Sequence, residues 1–90
     1  MTWKMQIATK AEKDLNWFRS HERILYLKSF DLVRATLLDP RTGIGQPERL
    51  KHFSPKEVWS RRVNRAHRMV YIIWEKDRKI EVVGFKSHYE

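Results

Sequence analysis

The sequence predicts an α+β domain in which an N-terminal strand and a two-helix hairpin pack on one face of a mainly antiparallel sheet. Three observations carry this prediction. Apolar residues recur at helical spacing between Lys10 and Leu38, and runs of β-branched and aromatic residues fill the second half. Between the halves, "DPRTGIGQPE" at residues 39–48 is the one obvious loop, with two of the three prolines and two of the three glycines.

In chain order, "WKMQIA" sets Trp3, Met5 and Ile7 against Lys4 and Gln6, the alternation of a half-buried strand. Thr9 and Glu12 have capping-box spacing, which predicts a helix from Lys10 to about Phe18 with Ala11, Leu15 and Phe18 inward. Ser20 is the expected cap of a second helix, Glu22 to Leu38, whose stripe is Tyr26, Leu27, Phe30, Val33 and Leu37. Pro40 stops it. A short strand is expected at Glu48 to Lys51. The runs "VWSRRV", "HRMVYIIW" and "KIEVVGF" then read as an antiparallel meander, turned at "NRA" and "EKDR". Such an order of elements closes one core, so residues 1–90 form a single domain.

Composition bounds the function. With no cysteine and four scattered histidines, neither a disulfide framework nor a structural zinc site is expected, and no metal or cofactor is implied. No apolar run approaches membrane-spanning length, and charges interrupt every short one near the N-terminus, so a cytoplasmic protein with no membrane association is expected. The net charge of +8, from 19 Lys and Arg against 11 Asp and Glu, points to a polyanionic partner: nucleic acid or a very acidic protein. P-loop, HExxH, GxSxG and paired CxxC motifs are all absent, so nucleotide hydrolysis, zinc proteolysis and esterase chemistry have no sequence support.

The cations concentrate in "WSRRVNRAHRMVY". With Asn64 to Ala66 as the turn, Val63 pairs with His67, Arg62 with Arg68 and Ser60 with Val70. Arg62 and Arg68 would then share a face about 5 Å apart, which a fold gains nothing from unless an anion sits between them. A two- or four-residue turn would set Arg61 opposite Arg68 instead. Under the first register Trp59 and Tyr71 fall on the other face and are packing residues. A second cluster, Glu48, Arg49, Lys51 and His52, lies in "QPERLKHF", with Glu48 facing away from Arg49 and Lys51 on an extended chain. His88 and Tyr89, in "FKSHYE", form a third. A carboxylate, cations, a histidine and an aromatic are the parts that cleave RNA without metal: a base for the 2′-hydroxyl, an acid for the 5′-oxygen, charge for the phosphorane and a ring for the base.

The run "GQPERLKH", followed by "VWSRRVNRAHRMVYIIW" and a terminal His-Tyr, resembles the YoeB (Txe) group of bacterial toxins within the RelE superfamily. The similarity spans nearly the whole chain, in the ordered pattern "PExLKH…WSRRI…HRLVY…HY". It implies the RelE-like, ribonuclease-like fold and an endoribonuclease that cuts messenger RNA in the ribosomal A site and is held inactive by an acidic antitoxin of the YefM type. It further implies that Glu48 is the general base, His88 the general acid and Tyr89 the residue that positions substrate. Lys51 and Arg68 would bind and stabilise the phosphate, supported by Arg62. Arg61 and His52 complete the expected RNA-binding set. Homodimerisation is a further implication. The chain departs from the pattern where Ser87 precedes the His-Tyr pair and Glu90 adds a carboxylate after it, and where "NRAH" lacks acidic residues. Two other classes fit the basic face: a non-catalytic toxin of the ParE branch, and a plain RNA-binding module. Neither needs His-Tyr beside a Glu.

Overall fold

The structure, a computed structural model, describes residues 2–86. The alternation at the N-terminus forms strand β1 (Lys4–Ile7), with Met5 and Ile7 turned inward and Lys4 and Gln6 exposed. The anticipated capping box is not made. Ala8 occupies the N-cap of helix α1 (Thr9–His21), and no side chain caps it. Pairing with the sheet reaches one residue past β1, because the Ala8 N–H donates to the Val82 carbonyl at 2.9 Å. The helix therefore starts as soon as the chain leaves the sheet.

Helix α1 runs three residues past Phe18 and takes in Ser20, so the second helix is not capped there. Glu22 alone joins α1 to α2 (Arg23–Leu38). Arg19 and His21 occupy the last turn of α1, where cations suit the helix dipole, and the His21 ring stacks on Trp17 at 4.4 Å. The buried face of α2 is rotated one position from the expected stripe. Ser29, Leu32 and Thr36 are buried, Tyr26, Val33 and Leu37 are half-buried, and Leu27 and Phe30 stand 53% and 38% exposed. The two hydroxyls escape the usual cost of burial by donating back to the carbonyls of Leu25 and Leu32, at 2.8 and 2.7 Å.

The second half forms β2 (Glu48–Leu50), a single 3-10 turn (Lys51–Phe53), β3 (Glu57–Arg62), β4 (Arg68–Trp74) and β5 (Lys79–Gly84). The five strands lie in the order β1-β5-β4-β3-β2, with β1 parallel to β5 and every other pair antiparallel. The helices cover one face of this mixed sheet. Ala11, Phe18 and Leu32 meet Met69, Tyr71, Ile73, Ile80 and Val82 in one core. Tyr71 is fully buried and Trp59 packs at the edge of the core, the packing roles expected of both.

Two arginines fasten the long loop to the sheet. Arg41 donates from Nε to Glu57 at 2.7 Å and from its terminal nitrogen to Glu75 at 2.7 Å, which holds the Glu57 carboxyl below its ordinary range. The second is Arg61, and it changes how the candidate site is composed.

Candidate active site

Register builds the site. Across β3 and β4, Arg62 pairs with Arg68, Ser60 with Val70 and Val58 with Ile72, so the three-residue-turn register holds. Val63 and His67 close it through an N–H···O bond of 2.9 Å. Across β2 and β3, Glu48 pairs with Ser60 and Leu50 with Val58. Directly paired residues share a face, so Glu48, Ser60, Arg62 and Arg68 stand on the side of the sheet away from the helices.

For Arg68, an anion is supplied by the fold itself. Arg68 donates from Nε to the Ser60 hydroxyl at 2.8 Å, and its terminal nitrogen lies 3.5 Å from a Glu48 carboxylate oxygen. Ser60 is fully buried, whereas the Glu48 side chain is 69% exposed. The hydroxyl is thus a fixed anchor for the guanidinium, and the carboxylate is a loose partner open to solvent. A bond of this kind, longer than an ordinary charge-assisted contact, leaves the carboxylate able to meet another donor.

Beside this pair lies a bowl of about 260 Å³ lined by Leu50, His52, Phe53, Ser60, Arg68 and Val70. The 3-10 turn at Lys51–Phe53 breaks the alternation of β2 and brings His52 and Phe53 to it, with Phe53 half exposed. Lys51 is exposed at the start of that turn, and Arg49 pairs with Trp59 on the opposite face from Glu48. Neither Ser60 nor Phe53 was expected at the site. The signal for Ser60 was its place two residues before Arg62, on the same face under the three-residue-turn register; an aromatic directly after "LKH" was the available signal for Phe53.

Arg61, expected among the RNA-binding cations, has no exposed surface and faces the helices. Its Nε donates to the Tyr71 hydroxyl at 3.1 Å, and its terminal nitrogens donate to the carbonyls of Ile44, Asp39 and Thr42 at 2.8, 2.6 and 2.7 Å. The Tyr71 hydroxyl in turn donates to the Pro40 carbonyl at 2.7 Å, and burial pushes its pKa up. Arg61 is a structural plug for the loop, because the alternation that puts Arg62 on the site face must put Arg61 in the core.

His88 and Tyr89 lie outside the described residues. The chain leading to them is fixed to α1. Asp14, nearly buried, accepts the N–H groups of Phe85 and Lys86 at 2.9 and 3.0 Å and the Lys10 ammonium at 2.6 Å. Lys10 also donates to the Lys86 carbonyl at 3.0 Å, and the Lys86 ammonium sits 3.9 Å from the Trp17 ring centre. Burial works against the Asp14 charge, but Lys10 and the two N–H groups outweigh it and hold the carboxyl below its ordinary value. Among the described residues no three His, Asp or Glu side chains gather as a metal site, and no helix is long and apolar enough to cross a membrane.

Residues 7–89 match the family described as the YoeB-like toxin of bacterial type II toxin-antitoxin systems. The YoeB toxin of Synechocystis sp. is 38% identical over 77 residues, covering 86% of each chain. The YoeB dimer of Staphylococcus aureus superposes with a TM-score of 0.83 at 28% identity, covering 97% of this chain and 98% of that one. The toxin in the heterotetrameric YoeB-YefM complex of the same organism does so with a TM-score of 0.79 at 27% identity, with the same coverage. The fold, the ordered motifs and these likenesses agree, and the chain belongs to the YoeB-like toxins of bacterial type II toxin-antitoxin systems.

Proposed function

We propose that this toxin is an endoribonuclease that cuts messenger RNA in the ribosomal A site, using general acid-base chemistry and no metal. The observation that supports it most is the Glu48–Ser60–Arg68 cluster: an exposed carboxylate beside a guanidinium that a buried hydroxyl holds in place. In the proposed reaction Glu48 takes the proton of a 2′-hydroxyl, whose oxygen attacks the adjoining phosphorus. The bond from phosphorus to the 5′-oxygen breaks, and His88 gives that oxygen a proton. The products are a 2′,3′-cyclic phosphate end, which can open to a 3′-phosphate, and a 5′-hydroxyl end.

Arg68 carries the phosphorane charge in this scheme, with Lys51, Arg62 and His52 as further RNA contacts. Tyr89 stacks on the unpaired base. The bowl beside Arg68, with exposed Phe53 in its wall, suits a second ring. Partners follow from the family. An acidic YefM-like antitoxin covers the Arg62–Arg68 face in the inactive state, and the chain forms a homodimer. The Staphylococcus aureus relatives, a dimer and a YoeB-YefM complex, support both proposals.

The test is cleavage on programmed ribosomes by Glu48→Gln and His88→Ala proteins, with the 5′ ends mapped. General acid-base steps contribute about 100- to 10,000-fold, so each variant should lose at least the lower figure. Unchanged cleavage in both would remove these residues from the mechanism. Loss of cleavage on adding EDTA, with ribosomes kept intact, would count against a metal-free site. A gyrase-directed or purely RNA-binding toxin would leave the message uncut.

A further inference from the structure

A second concavity lies at the turn end of the β3–β4 hairpin. It is lined by Lys28 of α2, Gly45 and Gln46 of the loop before β2, and Arg62, Asn64 and Arg65 of the hairpin, around about 470 Å³ of open space. Three of these side chains are cations and none is acidic. Bringing like charges around one hollow costs free energy unless an anion enters it.

The hollow is held in shape by its own backbone. The Arg62 N–H donates to the Gly45 carbonyl at 2.6 Å, and the Lys28 ammonium donates to the Val63 carbonyl at 3.3 Å. The Asn64 side-chain oxygen accepts the N–H groups of Ala66 and His67 at 2.9 and 2.8 Å, which fixes the turn. Gly45 has φ +86°, and a Cβ there would meet Leu32 at 2.8 Å. Gln46 has φ +50°, which few non-glycine residues adopt.

Its position joins it to the candidate active site. Arg62 lines this hollow and is the direct cross-strand partner of Arg68. Gln46 precedes Glu48 by one intervening proline. We infer that the groove binds the sugar-phosphate backbone of single-stranded message flanking the scissile nucleotide, with Lys28 and Arg65 holding phosphates beyond the one at Arg68. This inference rests on the ribonuclease reading of the site. An open, cationic, ring-free groove suits a backbone, and the apolar bowl lined by Arg68, the cross-strand partner of Arg62, suits a base.

The test uses a short labelled oligoribonucleotide with every 2′-hydroxyl methylated, which can be bound but not cut, titrated by fluorescence anisotropy over a range of salt. Replacing Lys28→Met and Arg65→Gln together should weaken binding roughly ten-fold and flatten the slope of log K against log salt by about 1.4, two phosphates at about 0.7 each. Removing the same charge at exposed Lys13 and Lys76, far from the groove in the sequence, should leave the slope closer to that of the parent. If Lys28→Met does not fold, Arg65→Gln alone should give about half the slope change.

Equal affinity and slope in the variant and the parent would overturn the inference, as would a parent that ignores this probe and binds poly-glutamate instead. A parent that binds the probe with the expected slope but leaves message on ribosomes uncut would sink the nuclease reading and leave the groove assigned to RNA.

Discussion

Arg62 and Arg68 stand directly opposite each other across the β3–β4 hairpin, and Arg68 is committed to Ser60 on the adjacent β3 and to Glu48 on β2, one strand further out. The pairing explains how a small basic protein tolerates two adjacent guanidinium groups. One is anchored by a buried hydroxyl and faces a carboxylate. The other is exposed and screened by solvent.

Ser60 is therefore expected to matter more than a buried serine usually does. Ser60→Ala removes the acceptor at 2.8 Å from the Arg68 Nε, leaving a half-buried charged donor to find a new partner. We expect about 1–3 kcal/mol of destabilisation by urea unfolding. On the nuclease reading, single-turnover cleavage should fall while ribosome affinity holds. A Ser60→Ala toxin that cuts at the parent rate would show that Arg68 needs no anchor.

Arg61 should behave as a core residue. Its removal would leave the carbonyls of Asp39, Thr42 and Ile44 and the Tyr71 hydroxyl short of a charged donor, so Arg61→Met should cost about 3 kcal/mol or more. Arg61→Lys should rescue little, since an ammonium cannot reproduce the planar fork. In contrast, Arg62→Gln, at an exposed position, should leave the unfolding midpoint nearly unchanged. Equal melting of the Arg61 and Arg62 variants would contradict the plug.

The strands of the meander were legible from period-two alternation, and one of the turn lengths the sequence allowed between β3 and β4 gives the observed register. The pairing of Arg62 with Arg68 follows once "NRA" is taken as a three-residue turn, and so does the inward direction of Trp59 and Tyr71; a turn of two or four residues would have set Arg61 there instead. That same alternation forbids Arg61 and Arg62 from sharing a role, a consequence visible only when the register is taken as settled. The buried face of α2 lies one residue from its apolar stripe because Ser29 and Thr36 pack inward once their hydroxyls bond to the preceding turn, which a count of apolar side chains overlooks. The capping box failed for a long-range reason: β5, far along the chain, extends its pairing to Ala8. Of the Asp14 partners only Lys10, at i,i+4 spacing, is local; the two backbone N–H groups that draw it under the end of the sheet are 71 and 72 residues away and leave no local trace.

Asp14 gives the fold a defined acid sensitivity. Its carboxyl titrates below the ordinary 3.8 in the folded protein, so the unfolded chain binds the proton first as pH falls. The stabilisation is complete above about pH 3.8 and is lost as pH falls through the lower, folded value. Asp14→Asn should therefore be less stable than the parent by about 1–2 kcal/mol at neutral pH, with the gap closing on acidification below 3.8. Urea unfolding of both proteins across that range checks it. A gap that persists unchanged in acid would mean that shape at this position matters and charge does not.

An acidic antitoxin segment lying over the Arg62–Arg68 face should associate quickly at low salt and more slowly as salt screens the encounter. Arg62 is exposed at the edge of that face, so Arg62→Gln should act mainly on the association rate and flatten its salt dependence. Arg68 is three-quarters covered and already engaged with Ser60 and Glu48, so Arg68→Gln should act mainly on the dissociation rate. Surface-capture kinetics with a YefM-type antitoxin separate the two. Association that is independent of salt, with Arg62→Gln binding like the parent, would place the antitoxin on another face of the toxin.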